Sequence, residues 1–380
     1  HVLAMLLGAM DALVLGDPWC LSTDIGPVID QQAQRKINDY IEARSVSGQV
    51  LKRLAVPTAA GSSGHFVSPT VIQVSGIEAL ETEVFGPVLH VATFEASQLD
   101  AVIDAINAKG FGLTFGMHSR IDARINRVCE RIRVGNIYIN RNQIGAVVGS
   151  QPFGGEGLSG TGPKAGGLHY VARLHRCRAL LEDFDWQGAN VDAPTLQMAI
   201  DEVLSMPVSH GEERGQRLAQ AGLPPLIRLD DLPVFLPGPT GELNQLGYHA
   251  RGVIVCLGPT LELLSDQCAA ALSQGNRVVI VSPVARDFAA QLVHAGLPVV
   301  LVEGVLSAAA LTLIDRFSAV ANGGDAARHR DYRVALAMRQ GAILPLISDA
   351  TQLSHFVIER HRCVDTTAAG GNASLIASAE

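Results

Sequence analysis

Residues 150–167, SQPFGGEGLSGTGPKAGG, constrain this chain more than any other stretch, because seven of them are glycine and two are proline. Glycine at that density costs conformational entropy, and chains keep it where backbone must approach something closely or take a positive φ. The stretch is therefore a loop, and it follows the strand-like GNIYIN of residues 135–140. GEGLSG (155–160) matches the G-x-G-x-x-G dinucleotide pattern in letters only. No strand ends directly before it, and Pro163 obstructs a following helix. Lys164 does not read as a phosphate-loop lysine either, since Ala165 stands where Ser or Thr should follow. Successive glycine N–H groups can converge on a carboxylate without a side chain in the way. Residue chemistry alone leaves that anion cradle and an ordinary capping loop both open.

The surrounding pattern is α/β. Apolar residues recur at helical spacing over 2–14 and 99–108, through Ile37, Tyr40 and Ile41 up to about 47, and over 121–132. Strand-like runs lie at 49–56, 66–74, 86–94, 113–118 and 135–140, with a loop at 16–30 and a Gly/Ser turn between the first two. Alternation of this kind predicts an open, mostly parallel sheet covered on both faces, with the glycine loop leaving the carboxyl end of its last strand. Residues 170–181 read as a strand or flap and 182–194 as a polar linker. A second α/β unit over 195–380 shows strands at 252–257, 277–281 and 299–302 and a helix at 261–272. The chain opens inside an amphipathic pattern with no initiator Met or cap, so it is expected to be the C-terminal part of a longer protein.

Composition sets outer bounds. The 380 residues are 48% hydrophobic and 17% charged, which is enough for two packed domains. A net charge of −8 with 5% aromatics and no basic block argues against a nucleic-acid surface. Six scattered cysteines without a CxxC pair fit a reducing cytoplasm and no metal site. No apolar run approaches the roughly 20 residues of a membrane span.

Several segments resemble the aldehyde dehydrogenase superfamily. EVFGPVL (83–89) is similar to its signature segment. GNIYINRN with GAVVGSQPFGG and SGTGPKAGG resembles the pyrroline-5-carboxylate dehydrogenase branch, and in particular the C-terminal part of the bacterial proline utilization A family. GDPW…STDIGPVID and TTAAGGNASL (366–375) fit that family too. The resemblance implies the C-terminal part of an aldehyde dehydrogenase domain over 1–181, with an anchor loop at 150–167 and a flap at 170–181. It implies NAD-dependent oxidation of L-glutamate γ-semialdehyde, formed from pyrroline-5-carboxylate, to L-glutamate. An upstream FAD-dependent proline dehydrogenase domain would supply that substrate in the same chain. A homodimer, and peripheral contact of the upstream domain with the inner membrane of a bacterial cytoplasmic protein, are left open.

Carried over by position, Glu83 would hold the nicotinamide ribose hydroxyls and Phe85 would pack against that ribose or ring. Phe153 would line the aldehyde tunnel, with plain core as its rival. Gly166 and Gly167 would offer N–H groups to the substrate α-carboxylate, and Ser159 would shape the loop more than touch substrate. Asn140 and Arg141 would fix loop and strand ends. The family's nucleophilic Cys and general-base Glu would lie upstream, because no cysteine here has the required glycine-rich setting.

In the second unit, GPTGELN, RGVIVCLGP, ALSQGNRVVIVSP and MRQGAILPLIS resemble the NAD-binding half of the same superfamily. Ser282 stands where the family carries a ribose-gripping lysine. That departure marks a degenerate, Rossmann-type copy, expected to cover a cavity with the 366–375 tail as a docking flap, or simply to stabilise the protein. The rival from another class is a non-catalytic binding, lid or scaffold protein built from aldehyde dehydrogenase pieces.

Overall fold

Asp30 starts the first long helix. Its carboxylate accepts from the Ala33 N–H at 2.7 Å, satisfying one of the donors a helix leaves orphaned at its start. In the computed structural model, which describes residues 1–57, 64–144, 146–174, 187–231 and 233–367, the chain divides into units His1–Lys109 and Gly110–Glu380. The first unit holds α1 (Val2–Met10), α2 (Gln31–Val46), β1 (Val50–Arg53), β2 (Thr70–Gln73), β3 (Val88–Val91) and α3 (Leu99–Ala108). β1 pairs antiparallel with β2, and β2 pairs parallel with β3. Ile37 and Ile41 of α2 bury against Val67, with Val28, Val84 and Val88 packed around them. Lys52 of β1 ties down the end of α1, donating to the Leu7 carbonyl at 2.6 Å and pairing with Asp11 at 2.5 Å.

The second unit begins with β4 (Phe111–Gly112), β5 (Thr114–Met117), α4 (Asp122–Arg131), β6 (Asn136–Ile139) and β7 (Glu156–Gly157). It continues with β8 (Asn190–Val191), α5 (Ala193–Ser205), α6 (Gly211–Gln220), β9 (Val234–Leu236), β10 (Glu242–Ala250), β11 (Val253–Leu257) and α7 (Leu261–Ser273). β12 (Arg277–Val281), α8 (Arg286–His294), β13 (Val299–Val302), β14 (Val305–Leu306), β15 (Ala319–Asn322), α9 (Ala326–Ala337), β16 (Leu346–Ile347) and β17 (Val357–Asp365) complete it.

One five-stranded sheet, β13-β12-β11-β15-β16, is parallel throughout. Two of its inner strands are near-continuous apolar runs, VIVCL and, after Arg277, VVIV, as a sheet buried on both faces requires. Leu264, Cys268 and Leu272 of α7 and Leu292 of α8 fill one side. Leu196, Ile200 and Val203 of α5 and Tyr332 of α9 fill the other. The strand order reverses between β11 and β15, the arrangement of a doubly wound, Rossmann-type sheet.

The second sheet, β5-β6-β17-β10-β9, differs from the expectation of one continuous sheet over the first 181 residues. β1–β3 form a separate mixed sheet in the first unit, and β5–β6 are completed by strands far along the chain. β17 runs parallel to β6, pairing Arg362 with Ile137 and Val364 with Ile139, and antiparallel to β10 over nine positions. The reason is hydrogen-bond satisfaction. β6 is fully buried, so its outer N–H and C=O groups need a partner, and β17 supplies it. The 170–181 segment shows a short 3-10 turn at Val171–Leu174, and residues 175–186 lie outside the described residues. Asn190–Val191, placed in the polar linker from sequence, is a strand paired with β14.

His361 of β17 is buried beside β6, and desolvation above all, with the nearby Lys164 charge, holds its imidazole down to about 4. The unfolded chain takes up this proton near pH 6.5 and the folded one only near 4, so stability falls as pH drops through that window. His361→Gln is expected to remove about one proton from the pH dependence of urea unfolding between those limits. An unchanged slope would place the ring in water.

Candidate functional site

The glycine loop is built on the first residue of β6. Asn136 is fully buried and its amide serves both sides of the loop. Nδ2 donates to the Pro152 carbonyl at 2.9 Å, while Oδ1 accepts from the Gly154 N–H and from Lys164 Nζ, each at 3.1 Å. Lys164 Nζ also donates to the Gly154 carbonyl. This ammonium is 2 % exposed, and loss of water lowers its pKa to about 8 against the pull of Glu359 and Glu156. Gly135 has to be glycine here, because a Cβ would stand 1.9 Å from the Gly154 oxygen and 2.8 Å from Lys164 Nζ. The loop thus leaves the carboxyl end of β6 as expected, but it folds back so that residues 152–164 sit over the strand's amino end.

The remaining turns are backbone work. Phe153 and Ala165 exchange N–H···O bonds of 3.0 and 2.8 Å, which closes the loop's neck and leaves the Phe153 ring half-buried. Ser159 shapes the loop: its hydroxyl accepts from the Gly112 N–H at 3.1 Å, next to the pairing of β4 with β7. Asn140 takes φ of 58° and its amide closes two bonds with the Ser119 backbone, at 2.9 and 3.0 Å. Gly166 has φ of 68°, and its carbonyl accepts from the Gly149 N–H at 3.2 Å. The two glycines expected to bind an anion then part company. Gly167 spends its N–H on the Lys164 carbonyl at 3.1 Å, whereas the Gly166 N–H has no partner among the described residues. An unspent N–H on a positive-φ turn is one of the donors an anion cradle requires.

Strands of the second half hold the loop from outside. Glu359 accepts from the Lys164 backbone N–H at 2.8 Å, and Arg360 pairs with Glu156 through two bonds of 2.9 and 2.8 Å. Glu242 accepts from Gln151 at 2.8 Å and from Arg141 at 2.5 Å, and Arg141 also reaches the Cys363 sulfur at 3.1 Å. Asn136, Lys164, Glu242, Glu359 and Arg360 were not singled out from sequence as site residues. The one available signal was Lys164, the only basic residue in the glycine-rich loop.

Glu83 and Phe85 belong to the first unit, in the segment that leads into β3. The Glu83 carboxylate is exposed and without a partner among the described residues, and the Phe85 ring is 85 % exposed and takes no part in the core. The thiols of Cys129, Cys268 and Cys363 are all pushed up by burial, Cys363 to about 11, the opposite of nucleophile activation. Ser282, at the end of β12, is buried, with its hydroxyl accepting from the Val284 N–H at 3.3 Å. Among the described residues there is no cluster of His, Cys, Asp and Glu able to hold a metal, and no helix long and apolar enough to cross a membrane.

Residues 1–180 match the aldehyde dehydrogenase family model. The bifunctional protein PutA of Escherichia coli K12 is 40% identical over 99% of this chain, and the chain spans 29% of that protein's length. The 1-pyrroline-5-carboxylate dehydrogenase of a Geobacillus strain is 39% identical over 45% of this chain and 33% of its own. The solved structure of proline utilization A from Corynebacterium freiburgense superposes with a TM-score of 0.53 at 22% identity. It covers 96% of this chain and 34% of that chain, in agreement with the fold.

Asn136→Ala would leave Lys164 Nζ, the Gly154 N–H and the Pro152 carbonyl short of partners in a dry site. A loss of about 2–3 kcal/mol in unfolding free energy is expected from denaturant titration. A loss under about 0.5 kcal/mol would show that water replaces the amide freely.

Proposed function

We propose that this chain supplies the substrate-anchoring end of an NAD-dependent L-glutamate γ-semialdehyde dehydrogenase. In this reading it is the C-terminal part of a longer bifunctional protein whose upstream part oxidises proline with FAD. The observation that carries the reading is the unpartnered Gly166 N–H on a loop locked by Asn136 and Lys164. The relatives' names supply the substrate class: a semialdehyde with an α-carboxylate gives that N–H a charged acceptor, and hydrogen bonds to charged groups are the stronger kind. Gly166 carries the anchor alone, unless Gly167 gives up its turn bond on binding. Phe153, half-buried at the loop's neck, would face the apolar carbons of the aldehyde.

Among the described residues, those of the 83–85 segment fit NAD. Glu83 offers an unpartnered carboxylate to a ribose diol, and Phe85 offers an exposed apolar face. NAD, when bound, would accept the hydride; the nucleophile and general base would come from the part of the protein that precedes this segment. The second module (195–380, after a linker at 182–194) is a degenerate aldehyde-dehydrogenase-like domain. The turned-in Ser282 hydroxyl replaces the cation that would grip a ribose. A covering role for that module is favoured by the β17–β6 pairing, which fastens it to the anchor side of the fold.

The test uses the full-length enzyme and two aldehydes, the semialdehyde and butanal, which lacks the α-carboxylate. Proline at 166 is ruled out as a probe because φ of 68° is closed to it. Gly166→Ala strains the same turn and brings a methyl 3.3 Å from Val148 Cα. It should cut kcat/KM for the semialdehyde roughly 10- to 100-fold, the equivalent of one charged hydrogen bond, with a far smaller change for butanal and for KM of NAD. Equal losses for both aldehydes would sink the anchor assignment. Glu83→Ala should raise KM for NAD and lower kcat about tenfold, and unchanged values of both would remove Glu83 from the cofactor site.

A further inference from the structure

β17 has nine residues, but only His361, Arg362, Cys363 and Val364 pair with β6. The four before them overhang its amino end, where the folded-back anchor loop takes up the space a longer β6 would have filled. Successive strand side chains point to opposite faces, so Glu359, His361 and Cys363 share one face and Arg360 lies on the other. The odd face is the bed of the loop. Glu359 meets the Lys164 N–H at 2.8 Å at one end, and Cys363 meets Gln151 at 3.6 Å at the other. Arg360 reaches the middle of the loop from the opposite face, gripping Glu156 with two bonds between side chains only 12% and 10% exposed. The loop is therefore clasped from both faces of a strand that comes nearly two hundred residues later in the chain.

We propose that Glu359 and Arg360 are positioning residues for the aldehyde substrate, acting through the anchor loop without touching the substrate. The inference rests on the anchor role argued for Gly166. Glu359 fixes the peptide N–H of Lys164, two residues ahead of Gly166, and the Lys164 carbonyl in turn closes the Gly167 turn at 3.1 Å. The direction of the Gly166 N–H is thereby set by a carboxylate of the second module. The other Glu359 oxygen is buried without a hydrogen bond, 4.0 Å from His169 Nε2. A carboxylate kept in so poorly solvated a place for one backbone bond costs stability that an apolar residue would not, which points to a role in geometry. Through these residues a module with no ribose-gripping lysine still sets substrate specificity.

The experiment compares Glu359→Ala and Glu359→Gln in the full-length enzyme, with the semialdehyde, butanal and NAD each varied. Gln keeps an acceptor oxygen for the Lys164 N–H, and Ala removes it. The expected result is that Ala raises KM for the semialdehyde about tenfold, the equivalent of about 1.4 kcal/mol, with kcat and KM for NAD little changed, and that Gln restores most of the loss. If Ala lowers kcat for both aldehydes alike, or if Gln is as damaged as Ala, the positioning role is overturned and Glu359 is part of general stability. A second pair guards against misfolding: Arg360→Glu should damage semialdehyde KM, and the charge swap Glu156→Arg with Arg360→Glu should recover it. Failure of the swap to recover anything, with both variants folded by near-UV circular dichroism, also overturns the proposal. A wild-type enzyme without preference for the semialdehyde over butanal would instead overturn the anchor reading beneath it.

Discussion

Everything at the candidate site depends on one buried amide, that of Asn136, and on the ammonium it shares with Gly154. An uncompensated charge in a dry site is costly, so Lys164 stays buried only while Asn136 Oδ1 and the Gly154 carbonyl accept from it. One acceptor is on β6 and the other on the loop, so satisfying the charge and closing the loop onto the strand are one event. The glycines follow from this closure. Gly135 leaves room for the Gly154 oxygen and the Lys164 ammonium, and Gly166 turns the chain through a positive φ.

The second constraint is the buried edge of β6. A strand buried at every residue must have both edges paired, and β17 completes it from the far end of the sequence. That pairing turns a doubly wound module into part of the scaffold that holds the glycine loop. It also explains why charged residues of β10 and β17, Glu242, Glu359 and Arg360, have their partners in residues 141–164. The second module keeps the sheet order of a nucleotide-binding fold, yet its contacts with the loop are made by the two strands outside that sheet.

Local elements were legible in the sequence where periodicity and caps agree. The helix at Leu99–Ala108 and the strands at Arg277–Val281 and Val299–Val302 have the bounds their patterns predict. The glycine loop was legible as a loop, and the aldehyde dehydrogenase resemblance of residues 1–180 is matched by the family model. What was not legible is long-range. VIERHRCVD reads locally as a half-polar strand, and nothing in it announces that its odd residues face a loop some two hundred positions earlier. Asn136 looks like any strand-initial asparagine, and Lys164 drew attention only as a phosphate-loop lysine that fails its pattern. The difference between Gly166 and Gly167 is a matter of one turn hydrogen bond, which no spacing rule encodes.

The most direct test of this account is amide hydrogen exchange of the full-length protein with and without saturating L-glutamate, the proposed product, which carries the same α-carboxylate. The account predicts that peptides covering 164–168 gain protection on binding, while those covering the already bonded 152–155 neck change little. Unaltered exchange at 164–168 under conditions where glutamate demonstrably binds would contradict the claim that Gly166 anchors the substrate.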